Sequence, residues 1–456
     1  MRWVKVALFS VLGIAALVAV LGVFGVRFQT DGSGLRPMPY VDRTANRLAE
    51  IEKRAAEDRK ALPPAPEPVA EAEAKSTQPV SAPWPGFYGP RRDGVYREGP
   101  ILTNWPAKGL TPLWKRPVGL GYGSMAVAQG LVFTLEQRRD EEAAVAYDLK
   151  TGREVWSNRW KGFFQESMGG DGPRSTPAWD EGRVYFLGAE GEFRCIDAAS
   201  GKTLWRKNLL DESGAPNLQW GMATSPLVVG EFVVVESGKG VTAYDKRTGA
   251  KVWSVLEDAP SYTAPMVAEL GGQRQIIAVL SKRAVGLSPD GKLLWEFPWV
   301  TEYDTNSALP IVTDATHLLL TAGYGHGSAL LEVTANGVRE LWTSKALKSK
   351  FNNAVLYQGT VYGMDDGILA AMDVATGQRR WKGGRYGFGQ LLLAGDQLLI
   401  LSETGEIALV KASPEKYQEI ARFDAIEGKT WNVPAMAEGN LLVRNGAEMA
   451  CYRISK

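Results

Sequence analysis

The sequence predicts an all-β fold: an eight-bladed β-propeller of four-stranded antiparallel blades, preceded by an N-terminal transmembrane helix and a linker. Three observations predict it. A tryptophan-bearing motif recurs from residue 114 onward at intervals of 39 to 49 residues, the spacing of propeller blades. Between the copies lie short apolar or alternating runs bounded by turns, such as 183–188 and 231–235, which read as strands. No long amphipathic helix follows residue 84, which argues against a helical solenoid. The two ends of the repeat region are also incomplete in complementary ways. Composition sets the outer limits. Of 456 residues 45% are apolar, enough for a sizeable core. The 52 basic and 51 acidic residues leave a net charge of +1, without the basic excess of a nucleic-acid binder. Two histidines and two cysteines exclude a zinc or iron–sulfur framework of protein ligands. Cys-x-x-Cys-His, the c-type haem signature, is absent.

Residues 1–27 read as a membrane anchor. Lys5 is the only charge in residues 4–26, and residues 7–26 form an unbroken apolar run of 20. At about 1.5 Å per residue such a run spans a hydrocarbon core of about 30 Å. Arg2 and Lys5 precede it and hold the N-terminus in the cytoplasm. The expected location is therefore the bacterial inner membrane, single-pass through residues 4–26, with the C-terminal domain in the periplasm. The alternative is secretion after signal cleavage; the run is longer than a signal peptide's apolar region and lacks a good small-x-small site.

Residues 28–83 read as a linker. Residues 41–62 are rich in Ala, Glu, Lys and Arg with a thin apolar stripe at Leu48, Ile51, Ala55 and Leu62; the plainer reading is a solvated spacer helix, the sharper one a short self-associating coil on a weak seam. Residues 63–83 are Pro/Ala/Glu-rich and extended. Together they are expected to hold the next domain tens of ångströms off the membrane.

Residues 84–456 carry the repeats. Ala146-Tyr-Asp-Leu-Lys-Thr-Gly152-Arg-Glu-Val-Trp156 is the clearest copy. Others end at Trp205, Trp253, Trp295, Trp342 and Trp381; Trp114 matches only the last part, and Phe423 falls where the next tryptophan is expected. Asp148 and its equivalents bond the backbone of the following turn. Gly152 and its equivalents supply the positive φ of a short hairpin. The tryptophan then packs toward the neighbouring blade. At the C-terminus a blade lacks its tryptophan strand, while 113–117 is an orphan tryptophan strand. Pairing them closes the ring at eight blades and removes the exposed edges. In this register Cys195 and Cys451 both occupy the place of Ala146. They are expected to be buried free thiols, in blades too far apart for a disulfide.

These copies, with the opening Trp84-Pro-Gly-Phe-Tyr-Gly-Pro-Arg-Arg-Asp-Gly94, resemble the eight-bladed propellers of pyrroloquinoline-quinone-type repeats. That family includes quinoprotein alcohol dehydrogenases and BamB-like barrel-assembly proteins. The resemblance covers about residues 84–456 and is specific for the fold.

Candidate ligand-binding residues lie at the channel mouth, just ahead of each blade's first strand: Arg174, Trp220, Tyr262, Asp304, Asn306, Asn352, Asn353, Gln390 and Trp431. The plainer reading is that they solvate and plug a narrow channel. In a ligand site, Trp220 or Trp431 is a stacking floor and Arg174 clamps a carboxylate. Two functions follow from the resemblance. The first is a non-catalytic scaffold binding a protein partner in the cell envelope, with no nucleic acid. The alternative is a dehydrogenase oxidising alcohols or sugars, which needs pyrroloquinoline quinone held by calcium; Asp304 and Asn306 are the best local pair for that metal, with Glu166 and Asp171 as further candidates. Against it, the adjacent Cys-Cys pair of the alcohol dehydrogenases is missing.

Overall fold

The computed structural model describes residues 20–23, 25–61, 81–167 and 169–455. Eight antiparallel blades form the body of the chain. The first comprises Ala126–Ala128, Leu131–Arg138, Glu141–Asp148 and Glu154–Lys161, from inside outward. The inner strands of the next seven are Ala178–Asp180, Leu227–Val229, Met266–Leu270, Ile311–Val312, Val355–Tyr357, Gln390–Ala394 and Ala435–Ala437. Closure follows the expected pairing. Pro112–Pro117 lies antiparallel to Glu448–Arg453 as the outer strand of the eighth blade, with Trp114 opposite Cys451.

Each motif residue acts locally, and one acts across blades. Asp148 Oδ1 accepts from Thr151 N at 2.8 Å, and Gly152, at φ +68°, closes the turn. Trp156 leaves this blade and packs on Gly201 of the next, its Nε1 donating to Ala198 O at 2.9 Å. The same indole-on-glycine contact joins Trp114 to Gly152, Trp205 to Gly249, Trp253 to Gly291 and Trp342 to Gly377. Glycine is thus required twice: for its φ and for the face it leaves to the indole. At the degenerate copy, Gly337 has nothing within 4 Å of a Cβ, and Trp295 bonds Gln275 in its own blade instead.

One repeat position is corrected. Every blade carries a bulge after the residue facing the tryptophan, as at Ala146/Tyr147 and Cys195/Ile196. In the seventh blade that bulge follows Leu409, which faces Ala421. Ala421, not Phe423, therefore stands at the tryptophan position. Phe423 packs edge-on against Trp105, with ring centroids 5.4 Å apart, and against Tyr452 at 5.3 Å. Spacing alone missed this because a bulge fixes register by backbone pairing, not by residue type. Cys195 and Cys451 are buried free thiols in the second and eighth blades, as expected, and burial pushes both up to about 12.

The N-terminal region departs furthest from expectation. Residues 1–19 and 24 of the anchor, Leu62 of the expected helix and 63–80 of the Pro-rich stretch lie outside the described residues. Among the described residues no helix is long and apolar enough to cross a membrane. Val26 belongs to a strand: Val26–Thr30 pairs with Pro37–Val41 in a two-stranded hairpin, so an apolar helix cannot run on to residue 26. The helix predicted over 41–62 is present as Thr44–Ala61 but is no solvated spacer. Ile51 and Ala55 are fully buried. Glu52 takes a bidentate ion pair from Arg159 at 2.9 and 3.1 Å. Asp58 accepts from Arg116 at 3.1 Å and from Glu154 N at 2.9 Å. Arg116 lies on the eighth blade, while Glu154 and Arg159 lie on the first. The helix clasps the seam where the ring closes. The helix Thr44–Ala61, expected to distance the propeller from a membrane, is instead packed on it.

Candidate functional site

The mouth is formed by the loops leading into the inner strands. The channel beneath it is filled by the chain itself. Trp84 bridges Val127 of the first blade, and Tyr88 donates to Leu391 O of the seventh at 2.9 Å. Arg92, 7% exposed, donates to Ser225 O at 3.1 Å, to Pro265 O at 2.6 Å, and to Pro226 O. Val95–Tyr96 then adds a parallel fifth strand inside the seventh blade. Three carbonyl acceptors take the N–H donors of Arg92, while burial pushes the guanidinium down to about 9 against the opposing pull of the Glu236 carboxylate.

The amide nitrogens of Asn306, Asn352 and Gln390 are committed to backbone, while Asn306 Oδ1, Asn352 Oδ1 and Gln390 Oε1 are buried without a hydrogen-bond partner among the described residues. Asn306 Nδ2 donates to Leu280 O at 2.9 Å and to Ser281 O at 3.2 Å. Asn352 Nδ2 reaches Phe388 O at 2.8 Å and Gly389 O at 2.6 Å. Asn353 Oδ1 accepts from Leu309 N at 2.9 Å. Gln390 Nε2 bonds Phe351 O and Trp431 O, both at 3.1 Å. These bonds staple each blade's lead-in loop to its neighbour. Asp304 turns away from Asn306: its side chain is 47% exposed and lies 3.4 Å from Lys282. Asn306 is 2% exposed. The two do not converge as a pair of calcium ligands. Among the described residues no three His, Cys, Asp or Glu side chains gather to hold a metal ion. Asp304 and Asn306 thus do not supply the calcium pair that a held quinone would need, and residues 84–96 fill the channel beneath the mouth.

The remaining predicted residues fall into two groups. Trp220 and Tyr262 pack with their rings tilted by 54° and centroids 5.2 Å apart. Arg174 donates to Gly170 O at 2.5 Å and to Gly172 O, lies 3.7 Å from Glu166, and rests 4.6 Å above Phe164. Its guanidinium braces its own loop. Trp431 belongs to an aromatic arc with Tyr122 at 5.4 Å and Phe351 at 4.8 Å; Phe351 in turn stacks on Phe388 at 5.5 Å.

Three charged residues of this arc were not singled out from the sequence. Lys429 Nζ sits 4.1 Å over the Trp431 ring and donates to Gly169 O at 2.7 Å; burial pushes it down to about 8. Glu403 Oε1 accepts from Trp431 Nε1 at 2.8 Å. Lys350 Nζ lies 5.3 Å from the Phe388 ring centroid, and burial lowers its pKa. Glu403 stands in Ser402-Glu-Thr-Gly405, which reads as an ordinary turn, so no local signal marked it.

Over this arc lies the hairpin Val26–Val41. Gly32 N donates to Glu403 Oε1 at 2.6 Å, and Gly32 O accepts from Lys350 Nζ at 2.7 Å. An acid and a base thus hold the two polar groups of one glycine, above an aromatic floor.

A closed ring of tryptophan-stapled blades with a self-filled channel defines a repeat-propeller of the pyrroloquinoline-quinone type. The family model described as "Outer membrane protein assembly factor BamB" matches residues 106–209 and 139–383, and the chain belongs to this family. It is 23% identical over 311 residues to the outer membrane protein assembly factor BamB of Bordetella pertussis, covering 64% of this chain and 72% of that one. Its fold is similar to BamB from Moraxella catarrhalis, with a TM-score of 0.56 at 17% identity over 75% of this chain and 99% of that one. Its fold is also similar to the quinohemoprotein alcohol dehydrogenase from Comamonas testosteroni, with a TM-score of 0.61 at 14% identity over 89% of this chain and 85% of that one.

Proposed function

We propose that this protein is a non-catalytic scaffold of the bacterial cell envelope that binds another protein. One observation carries the reading: the place where a propeller would seat a small ligand is taken by polypeptide, through residues 84–96 in the channel and Gly32 at the mouth. The BamB relatives, whose name is that of an assembly factor, support the envelope setting. The likeness to the quinohemoprotein dehydrogenase is one of fold alone. The apolar stretch of sequence that ends short of the strand at Val26 anchors the chain in the inner membrane, with the propeller in the periplasm. The hairpin starts at Val26 and sits on the mouth, so the mouth faces the bilayer with no spacer between.

The test is site-specific photo-crosslinking in intact cells from exposed positions on each face, with the adduct identified by mass spectrometry. A discrete envelope-protein adduct is expected. A chain that stays solitary from every position overturns the reading. Calorimetry with pyrroloquinoline quinone and calcium is the second arm; micromolar binding there would replace the scaffold by the dehydrogenase. Retention of residues 1–26 in the membrane fraction checks the anchor.

A further inference from the structure

We propose that the propeller mouth is a receptor for a glycine-bearing turn of a partner protein, and that the chain's own hairpin holds that place until the partner displaces it. This rests on the protein-binding reading above and names its surface.

The recognition chemistry is on view in the resident occupant. Glu403 takes the N–H of Gly32 and Lys350 takes its C=O, so the site reads backbone. A Cβ at residue 32 would overlap the Phe388 ring, so the site admits only glycine there. Asp31 Oδ1 accepts from Ser33 N–H at 3.1 Å and from Arg36 N–H at 3.3 Å, so an acidic residue just ahead of the glycine closes the turn that presents it. The partner segment is therefore a turn of the Asp-Gly kind. Beside the seated glycine remains an open groove of about 400 Å³, lined in part by Tyr324, Arg385 and Asp366, with room for flanking side chains of a larger guest.

The resident is built to be exchanged. Its two strands pair only with each other and join no blade. An isolated two-stranded hairpin is marginal in water. Phe28, Leu35 and Tyr40 are 45%, 87% and 40% exposed, so little apolar surface ties it down. By contrast the channel segment 84–96 is continuous with a blade and is not displaceable in this way.

The experiment uses the full chain carrying Gly32→Val. The φ of Gly32 is not positive, so valine burdens the docking and not the hairpin's own backbone. The probe is a labelled peptide of residues 26–41, read by fluorescence anisotropy. A tethered occupant competes at an effective concentration of about 1 mM, so a peptide of about 100 µM affinity should bind the G32V chain about tenfold more tightly than the wild type. Adding Lys350→Ala and Glu403→Gln to the G32V chain should abolish that binding. Equal affinity for G32V and wild type, or indifference to the second pair, overturns the proposal. So does a concentration-dependent wild-type dimer with exchanged hairpins, because the occupant would then be a second copy.

Should the G32V chain fail to fold, hydrogen exchange on the wild type decides. The Gly32 amide should exchange at least about 100-fold faster than inner-strand amides, and equal protection refutes an exchangeable resident. Partner adducts that form in cells from another face, unchanged by G32V, would sink this proposal while leaving the scaffold reading standing.

Discussion

Replacing Gly201 by alanine isolates what holds one blade to the next. Gly201 sits at φ +73°, and a Cβ there would stand 2.7 Å from the Trp156 indole. Gly182, in the same blade, has φ +79° and nothing within 4 Å of its Cβ position. Both substitutions bear the left-handed backbone strain, about 1–2 kcal/mol. Only Gly201→Ala adds overpacking against a buried indole, about 1–3 kcal/mol. The expectation is thus a loss of about 2–5 kcal/mol for Gly201→Ala against about 1–2 kcal/mol for Gly182→Ala. Urea unfolding followed by tryptophan fluorescence measures both, and the extra loss should shrink in a Trp156→Leu background. Equal midpoints for the two variants would refute the claim that the motif's glycine serves the neighbouring blade's tryptophan.

Two further outcomes follow from buried charges. Burial raises the carboxyl of Glu142 to about 7, although Ala189 N–H and Trp160 Nε1–H donate to it. Its ordinary value is 4.5, so folding takes up a proton between the two. Its contribution is full below about pH 4.5 and is lost as pH rises to about 7, by up to about 3 kcal/mol. Unfolding midpoints at pH 5 and 7.5 should show a fall in wild type that is smaller in Glu142→Gln, the remainder coming from Glu236, which burial raises to about 8; an equal fall in both would refute it. At the ring seam, Asp58→Ala removes the acceptor shared by Arg116 and Glu154 N. The clasp should loosen by about 1–2 kcal/mol, with about 5–30-fold faster tryptic cleavage within residues 44–61. An unchanged cleavage rate would mean that this acceptor does not hold the helix.

The repeats could be read because their chemistry is local. The bond from Thr151 to Asp148 and the φ of Gly152 lie within one turn, so residue type announces them. Phe423 could not be placed, because a bulge between Leu409 and Val410 shifts the pairing without any residue that signals it. Of the candidate site, Arg174 and Trp431 were named from the sequence; Arg174 braces its own loop and Trp431 joins the aromatic arc. Glu403, Lys350 and Lys429 were not named, because a turn glutamate or a loop lysine looks the same whether it meets water or an indole. Asn306, Asn352 and Gln390 were found as polar residues of the mouth. Only the fold turned their amide nitrogens onto neighbouring carbonyls.

By itself the sequence determined a closed propeller of eight blades, the shared last blade and the two buried thiols. Those follow from strand and turn preferences that act within about ten residues and then repeat. The tertiary structure alone decided that the N-terminal helix clasps the seam, that residues 84–96 fill the channel, and that a hairpin covers the mouth. Gly32 meets Glu403 across 371 positions of chain. A contact of that span leaves no periodicity, and its free energy comes from groups that acquire partners only once the ring has closed.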